Sequence, residues 1–386
     1  MTPEFEARLQ KAVDDGVIPH AVVAAKDKSG KITYHLSVGP NSLTPLLPHH
    51  PSTLLSLASM SKLLTSLSIL HLIQHNHLTL DTDIARYLPV LAAQPILRGF
   101  DATTGAPILA PRTKPILVRH LLTHSAGTGY LLLSDELGQW ARATCRPLPV
   151  PFAPGPAGGG ATVDEKFGYP LLFEPGEGWV YRSSMDWAGR LVEVVSGKQL
   201  DEYLYEHVLA PVGVPKGGIT FHPAKYTGEY ELAGMAVRNR ETGKEGLHGG
   251  IGEYVKVLHS LAVDDGRILE SGTANLLFEP LLREDKARKA MQETVNTIPW
   301  VVGWMPKGED TEYDWSAGGM LTVKEGKEGA YRGKGFLQWG GVWNLSWFID
   351  PTKGACGAFG TQIAFPADPL VTPLMREFEE GVYSKL

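Results

Sequence analysis

The alternation of apolar and polar residues along this chain predicts strands near both ends and helices between them. Helical periodicity covers residues 3–15, and a last helix is expected at about residues 367–382. Strands are predicted for residues 20–26, 32–38, 335–339, 344–349 and 355–361. Because strands come from both ends, we expect one sheet built from both termini, with a helical lobe inserted between them.

The central part of the chain sets the expected domain organisation. It mixes helices with Pro- and Gly-rich loops, of which the longest runs from Pro147 to Thr162. A chain of 386 residues exceeds the usual size of a single core. We therefore expect a sheet domain of residues 1–90 and 290–386 and a mainly helical inserted domain of residues 91–289, with the active site in the cleft between them.

Composition narrows the classes of function. A net charge of -6 and a pI near 6.1, without a basic run, argue against a nucleic-acid partner or an anionic membrane surface. The apolar stretch of residues 63–73 is too short to span a membrane, and the first residues lack the apolar core of a signal peptide. Cys145 and Cys356 are too few for a disulfide framework or a metal cage. A cytoplasmic, reduced protein is expected.

Ser59 is the only serine with a lysine three residues further on, and it stands where a helix is predicted to begin. A serine there lies beside backbone N–H groups that lack intrahelical partners, and Lys62 follows one turn later on the same face. Burial among leucines favours the neutral amine, which could take the serine proton. An S-x-x-K spacing is common by chance, but no charge occurs between Lys62 and Asp81, which favours the catalytic interpretation.

Two further segments could complete such a site. Tyr181 stands at a loop-to-helix junction, where its hydroxyl could act as a base or proton shuttle, although most tyrosines in apolar surroundings are packing residues. Residues 335–344 are predicted to include an edge strand whose glycines allow close approach of a substrate. A free N–H on that strand, together with the Ser59 N–H, could face an oxyanion; the alternative is a simple turn between two strands.

These three segments, in this order, resemble the serine β-lactamase and penicillin-recognising superfamily, specifically its class C-like esterase and transesterase branch. Within that branch the chain looks like the fungal lovastatin side-chain acyltransferases. Further landmarks are Leu78–Asp81, Val118–Gly127 and the pair Gly249-Gly250, so the resemblance covers essentially the whole chain. It implies an α/β plus α fold of the β-lactamase/transpeptidase type, in which helices flank an antiparallel sheet and a mainly helical lobe is inserted.

The resemblance also implies roles for individual residues. Ser59 would be the acylated nucleophile, Lys62 its base, and Tyr181 the shuttle that deprotonates the incoming alcohol or water. The oxyanion hole would be formed by the N–H of Ser59 and a strand N–H near Val342. The other residues expected to contact substrate are Trp339, Gly340, Gly341, Trp343, Tyr130 and Ser183. The family needs no metal and no cofactor.

Departures from the family pattern narrow the activity. Antibiotic-cleaving and cell-wall members carry Tyr-x-Asn and, on the edge strand, Lys-Thr-Gly. This chain has Ser183 at the asparagine position and Trp339 at the lysine position, so a β-lactamase or peptidase is disfavoured. The bulky Trp343 after the paired glycines could narrow the acyl or acceptor site at the mouth of the cleft.

The expected function is acyl transfer from a thioester or ester, through an acyl-serine, to a hydroxyl of a small natural product in secondary metabolism. A carboxylesterase with the same residues and water as acceptor is the alternative, and a non-catalytic binding protein is the third class. For an acyltransferase, a thioester on the carrier domain of a polyketide synthase is a candidate donor and therefore a candidate protein partner.

Two other patterns carry less weight. His71 and His75, like His120 and His124, have the i, i+4 spacing of helical metal ligands but lack a third ligand, so we interpret them as structural. Residues 314–318 nearly match the nucleophile elbow of α/β-hydrolases, but they lack its first glycine and the required strand–turn–helix context is not evident.

Overall fold

A computed structural model describes residues 1–43, 46–47, 53–147, 162–236, 247–297, 312–324 and 331–386. The predicted loop between Pro147 and Thr162 lies outside the described residues. The strands are β1 (Ala21–Asp27), β2 (Thr33–Val38), β3 (Ser42–Leu43), β4 (Leu46–Leu47), β5 (Thr53–Ser56), β6 (Ile96–Phe100), β7 (Pro107–Ala110), β8 (Ile219–Thr220), β9 (Glu231–Leu232), β10 (His248–Gly249), β11 (Tyr313–Trp315), β12 (Met320–Thr322), β13 (Leu337–Gly341), β14 (Leu345–Asp350) and β15 (Ala355–Gly360).

Helices fill most of the intervening sequence. They are α1 (Pro3–Asp14), α2 (Ser61–Gln74), α3 (Pro89–Ala92), α4 (Val118–Leu122), α5 (Asp135–Ala143), α6 (Val163–Phe167), α7 (Ser184–Ser196), α8 (Leu200–Leu204), α9 (Ile251–Val263), α10 (Ser271–Ala274), α11 (Asp285–Thr297) and α12 (Thr372–Tyr383). A 3₁₀ turn, Ala58–Met60, joins β5 to α2, and a π-helical turn, Tyr205–Leu209, continues α8.

The main sheet combines strands from both ends of the chain, as the sequence predicts. Its order is β11-β12-β13-β14-β15-β1-β2, and every neighbouring pair is antiparallel. The two N-terminal strands extend a sheet made by the C-terminal strands, so β1 lies beside β15. A smaller sheet, in the order β8-β10-β5-β9, leads into the turn that begins α2.

Helices cover both faces of the main sheet, and small residues of β15 allow them to pack closely. The missing side chain of Gly357 faces Phe378 of α12, whereas that of Gly360 faces Ile251 of α9. Positions separated by an odd number of residues point to opposite faces of a strand, so α12 and α9 lie on opposite sides of the sheet.

Helix α2 is buried on nearly all sides. Its residues from Leu63 to Leu70 are all buried, which is the pattern of a core helix rather than of an amphipathic surface helix. It packs against α7 and α10. This burial fixes the position of the helix. It therefore also fixes Lys62 in the first turn of the helix and Ser59 in the turn that precedes it.

The strand that carries the paired glycines is not at the edge of the sheet, which corrects the sequence-based expectation. β13 is third in the order, with β12 and β11 outside it. However, β12 pairs only with Leu337 and Gln338, so within the described chain it leaves the segment Trp339–Gly341 uncovered on that side. The end of β13 therefore behaves locally as an edge because its neighbour is short.

Candidate active site

The first feature of the site is the strained turn that presents Ser59. Ser59 is the central residue of the 3₁₀ turn before α2, and Ala58 has φ of 47°, in the left-handed region that residues with a Cβ rarely adopt. The Ser61 hydroxyl donates to the Ala58 carbonyl, and the buried Tyr254 hydroxyl donates to the Met60 carbonyl at 2.9 Å. These contacts hold Ser59 at the N-terminal end of a buried helix.

Lys62 lies between Ser59 and Tyr181. Its Nζ is 3.1 Å from the Ser59 Oγ and 4.9 Å from the centroid of the Tyr181 ring, over its face. Both Ser59 and Lys62 are partly buried. The ammonium form can donate to the serine oxygen, and the neutral amine can accept the serine proton along the same line. The structure therefore brings together the three residues predicted to be catalytic.

The Tyr181 hydroxyl has a defined partner. Tyr181 precedes α7, and its neighbour Val180 donates its N–H to the His124 carbonyl at 3.1 Å, which ties the segment to the loop after α4. At the other end of the side chain, the indole N–H of Trp339 donates to the Tyr181 Oη at 2.8 Å. Both the backbone and the hydroxyl of Tyr181 are thus held in place.

Four rings surround the Tyr181 ring, and we call them the aromatic cage. Their centroids lie 4.6 Å (His124), 4.8 Å (Trp339), 5.9 Å (Trp315) and 6.4 Å (Trp179) from that of Tyr181. Three of these rings are tilted against Tyr181 and Trp179 is stacked on it, arrangements in which aromatic rings pack favourably. Sequence reasoning missed Trp315 and Trp179 as neighbours of the site, because only the tertiary fold brings β11 and the segment before α7 together.

His124 is the titratable member of the cage. Burial holds the pKa of His124 well below its usual range, and the positive charges of Lys62 and Arg182 act in the same direction. It is therefore neutral at physiological pH. Because the His124 ring is uncharged, the side chain of Lys62 is the basic group described over the face of the Tyr181 ring.

Close approach of β13 to the Ser59 turn depends on Gly341. A Cβ at Gly341 would lie 2.9 Å from the Leu57 carbonyl oxygen and 3.4 Å from the Ala58 Cβ. Only a glycine fits against that backbone without displacing the strand. The buried glycines 340 and 341 and the partly buried Val342 therefore lie beside the turn that carries the nucleophile, where a strand N–H is expected to face an oxyanion.

Three of the predicted substrate-binding residues are already engaged within the protein. The Tyr130 hydroxyl donates to Asp186 at 2.7 Å. Ser183 is fully buried and its hydroxyl donates to the Gly129 carbonyl at 2.7 Å, so this hydroxyl already has a partner within the protein. Trp343 is 3% exposed and belongs to the buried core. Its effect on the width of the acyl or acceptor site stays a prediction.

Asp186 is a charged neighbour that sequence reasoning did not single out. Burial raises the pKa of Asp186, while the positive charge of Lys62 and the hydrogen bond from Tyr130 act against this shift. Burial is also the main cause that raises the pKa of Tyr130 well above its usual range. The sequence feature that could have indicated Asp186 as a neighbour of the site is its position in the first turn of α7, five residues after Tyr181.

The residues of the two competing sequence patterns lie in other local contacts. Residues 313–322 make a strand–turn–strand hairpin in which the buried Ser316 donates its hydroxyl to the Gly319 carbonyl, which excludes a nucleophile elbow. His120 accepts the Leu117 N–H at Nδ1. Within the described ranges, no group of three or more His, Cys, Asp or Glu side chains is arranged to hold a metal ion. None of the helices in those ranges is long and apolar enough to cross a membrane.

Comparison with known proteins is consistent across sequence and structure. The family model for Beta-lactamase matches residues 5–379. The chain is 32% identical over 410 residues to the monacolin J acid methylbutanoyltransferase of Aspergillus terreus, covering 99% of this chain and 95% of the relative. It is also 32% identical over 409 residues to the lovastatin esterase of Penicillium rubens, covering 99% and 98%. Unliganded simvastatin synthase from Aspergillus terreus superposes with a TM-score of 0.85 at 30% identity, covering 99% of this chain and 98% of that one.

Proposed function

The chain belongs to the Beta-lactamase family as an enzyme of its acyltransferase and esterase branch, and we propose that it transfers acyl groups through an acyl-Ser59 intermediate. The donor is a thioester or ester, and the acceptor is a hydroxyl of a small natural product. Support for this substrate class comes from relatives whose names specify statin precursors or products. Their particular substrates are not carried over to this chain.

One observation carries the proposal: the 3.1 Å contact between the Lys62 Nζ and the Ser59 Oγ, with the Tyr181 ring directly beside the amine. A serine is a weak nucleophile unless a neighbouring base takes its proton. Lys62 can do so without moving, because it lies in the first turn of α2, directly after the 3₁₀ turn that carries Ser59, and its Nζ is already within hydrogen-bond distance of the serine oxygen.

Acylation starts when the neutral Lys62 amine takes the proton of the Ser59 hydroxyl. The Oγ then attacks the acyl carbon of the donor, and negative charge develops on the carbonyl oxygen. Preorganised N–H donors from Ser59 and Val342 would stabilise that oxyanion. As the tetrahedral species collapses, the bond from carbon to the thiol or alcohol breaks, and the Lys62 ammonium supplies the proton to the leaving group.

Transfer reverses these roles at the second substrate. Tyr181 first passes its phenolic proton to the neutral Lys62 amine, which leaves a Tyr181 phenolate beside a Lys62 ammonium. The phenolate oxygen takes the proton of the acceptor hydroxyl as that hydroxyl attacks the acyl carbon on Ser59. When the carbon–Oγ bond breaks, the Lys62 ammonium returns a proton to the serine oxygen. The apolar, uncharged aromatic cage supports this step because it limits the access of water to the face of Tyr181.

A carboxylesterase is the second candidate, and the relative named lovastatin esterase favours it. The same three residues would serve, with water in place of the alcohol. If the alcohol acceptor is used, a thioester on the carrier domain of a polyketide synthase is the proposed donor, and that domain would be a transient protein partner.

Intact-mass spectrometry after mixing the protein with short and medium acyl thioesters tests the proposal. We expect a mass gain that maps to Ser59, persists in water, and is lost when a polyol or a polyketide alcohol is added. Rapid hydrolysis without a lasting adduct would instead support the esterase. Absence of both adduct and turnover, with thioesters and with aryl esters, would indicate a binding protein.

Two serine variants on the same region make this test specific. Ser59→Ala should form no adduct. Ser68→Ala is the matched control, because Ser68 lies on α2 with its hydroxyl bonded to the Leu64 carbonyl at 3.1 Å, away from Lys62. An adduct of equal size in Ser59→Ala would contradict the mechanism.

A further inference from the structure

The bond between Trp339 and Tyr181 is the least expected contact in the site. Trp339 is 6% exposed on β13, in the segment that β12 leaves uncovered, and its indole N–H is 2.8 Å from the Tyr181 Oη. The position is the one at which antibiotic-cleaving and cell-wall members of the superfamily have a lysine. This chain therefore places an uncharged hydrogen-bond donor against the tyrosine oxygen.

We propose that Trp339 is a positioning residue that orients the Tyr181 hydroxyl and stabilises its phenolate, and so promotes transfer of the acyl group to the acceptor. An indole N–H is a donor only, so the Tyr181 oxygen must accept from it. The proton of the phenol is consequently directed away from Trp339. Tyr181 thus keeps one fixed acceptor position and one position for the transferred proton.

Electrostatics decides which form of Tyr181, phenol or phenolate, the Trp339 N–H favours. A hydrogen bond to a charged acceptor is stronger than one to a neutral acceptor, so the indole N–H favours the phenolate over the phenol. The partly buried position of this hydrogen bond strengthens the preference, because an electrostatic interaction is stronger where the local dielectric is lower than that of water. Lys62, 4.9 Å from the ring centroid, adds a positive charge on the face of the same ring.

Trp339 is expected to act on the transfer of the acyl group to the acceptor and not on the acylation of Ser59. This inference rests on the proposed function, in which Tyr181 accepts the proton of the acceptor hydroxyl. Acylation uses the Lys62–Ser59 contact, which Trp339 does not touch in the contacts described. Loss of the indole N–H should therefore slow the transfer step at low pH and leave the formation of acyl-Ser59 nearly unchanged.

The competing explanation is that Trp339 only packs. Its ring lies 4.7 Å from Trp315 and 4.8 Å from Tyr181, as expected for any member of the aromatic cage. Truncation to a smaller residue could not separate the two explanations, because it would also open the cage. A replacement that keeps the ring and removes only the N–H can separate them.

Site-specific replacement of Trp339 by 3-benzothienylalanine makes that change, since sulfur replaces the indole N–H in a ring of the same shape. The matched control is the same replacement at Trp315, whose indole N–H donates to the Leu122 carbonyl at 3.1 Å within the same cage. We expect the acid limb of the transfer pH–rate profile to move up by about one pH unit at position 339 only. The ratio of the transfer rate to the acylation rate should fall at position 339, whereas at position 315 any change should affect both rates in the same proportion.

An independent readout follows the hydrogen bond itself. The chain has nine tryptophans, so the Trp339 indole signal can be assigned in a ¹H–¹⁵N spectrum by its loss from a Trp339→Phe variant. The chemical shift of this indole signal should change with pH, with the same midpoint as the acid limb of the pH–rate profile for transfer. Tyr181→Phe should abolish that change of chemical shift.

The outcomes separate this inference from the proposed function. Normal acylation with an unmoved acid limb, or with equal shifts at positions 339 and 315, would overturn the role of Trp339 alone. Failure of the unmodified protein to form acyl-Ser59 would overturn the proposed function first, and with it the role in transfer. The indole titration would then still report whether Trp339 and Tyr181 are coupled.

Discussion

The two ends of helix α2 carry polar pairs with similar spacing but different fates. At its N-terminal end, Ser59 and Lys62 are three residues apart; at its C-terminal end, His71 and His75 are four apart. Both spacings place two side chains on one helical face. At the first end the Lys62 Nζ lies 3.1 Å from the Ser59 Oγ, close enough for proton transfer, whereas at the second the two imidazole rings pack in a tilted arrangement with centroids 4.2 Å apart.

The difference lies in what other parts of the chain bring to each end. At the C-terminal end the polar atoms are already used: the His71 Nδ1 pairs with the Tyr203 hydroxyl at 2.8 Å, and the His75 Nδ1 with the His71 carbonyl at 2.9 Å. At the N-terminal end, Tyr181 arrives from the α7 junction and Gly341 from β13. Helical spacing alone therefore does not make a site; converging partners do.

Of the changes at the two ends of α2, loss of the base Lys62 should have the largest effect on the rate of acylation. Lys62→Ala is expected to slow formation of acyl-Ser59 by about 10³- to 10⁴-fold, since serine would lack a general base. Lys62→Arg should be nearly as slow, because a guanidinium keeps the charge but does not give up its proton. Single-turnover intact-mass kinetics measure both variants.

The control lies at the other end of the helix. His75→Ala should acylate within about twofold of the unmodified protein, because His75 is exposed and contacts no reacting group. Lys62→Arg acylating at a rate near that of the unmodified protein would refute the role of a neutral amine.

Gly341 should have the next largest effect, since it sets the distance between β13 and the nucleophile turn. Gly341→Ala places a Cβ against the Leu57 carbonyl oxygen, so the strand must shift and carry the proposed oxyanion donor with it. We expect kcat/KM to fall by about 10- to 100-fold. The comparison variant is Gly272→Ala, where a Cβ meets nothing within 4 Å. Unchanged activity in a correctly folded Gly341→Ala would mean that β13 contributes no donor.

The smallest effect is expected at the C-terminal end of α2, on stability rather than on activity. Burial lowers the pKa of His71 to about 4, and the positive charges of His207 and His75 act in the same direction. His71 therefore takes up a proton near pH 6.5 in the unfolded chain but only near pH 4 in the folded protein. Its contribution to the free energy of unfolding is complete above about pH 6.5 and is lost as the pH falls toward 4. After allowance for solvent screening, the loss is about 1 kcal/mol.

His71→Gln should remove that part of the acid sensitivity. Urea midpoints measured at about pH 5 and about pH 7.5 should differ less in His71→Gln than in the unmodified protein, with His222→Gln as the control outside the stacked rings. Equal pH sensitivity in all three proteins would show that His71 titrates alike in the folded and unfolded states.

Much of the architecture could be predicted from local patterns. The predicted strands and the first and last helices appear within a few residues of their expected bounds, because period-2 and helical patterns report which face of an element is buried. Ser59 and Lys62 could be paired from sequence for a similar reason: one turn of helix sets their separation, whatever the rest of the chain does.

What only the tertiary structure decided is every contact that joins distant parts of the chain. No local pattern indicates that Trp339 donates to Tyr181, 158 residues away, that Trp315 joins the same cage, or that Trp343 and Ser183 are buried. The apparent edge position of β13 likewise depends on how short β12 is. Side-chain spacing within one element follows from its backbone geometry, whereas convergence of separate elements depends on packing of the whole core.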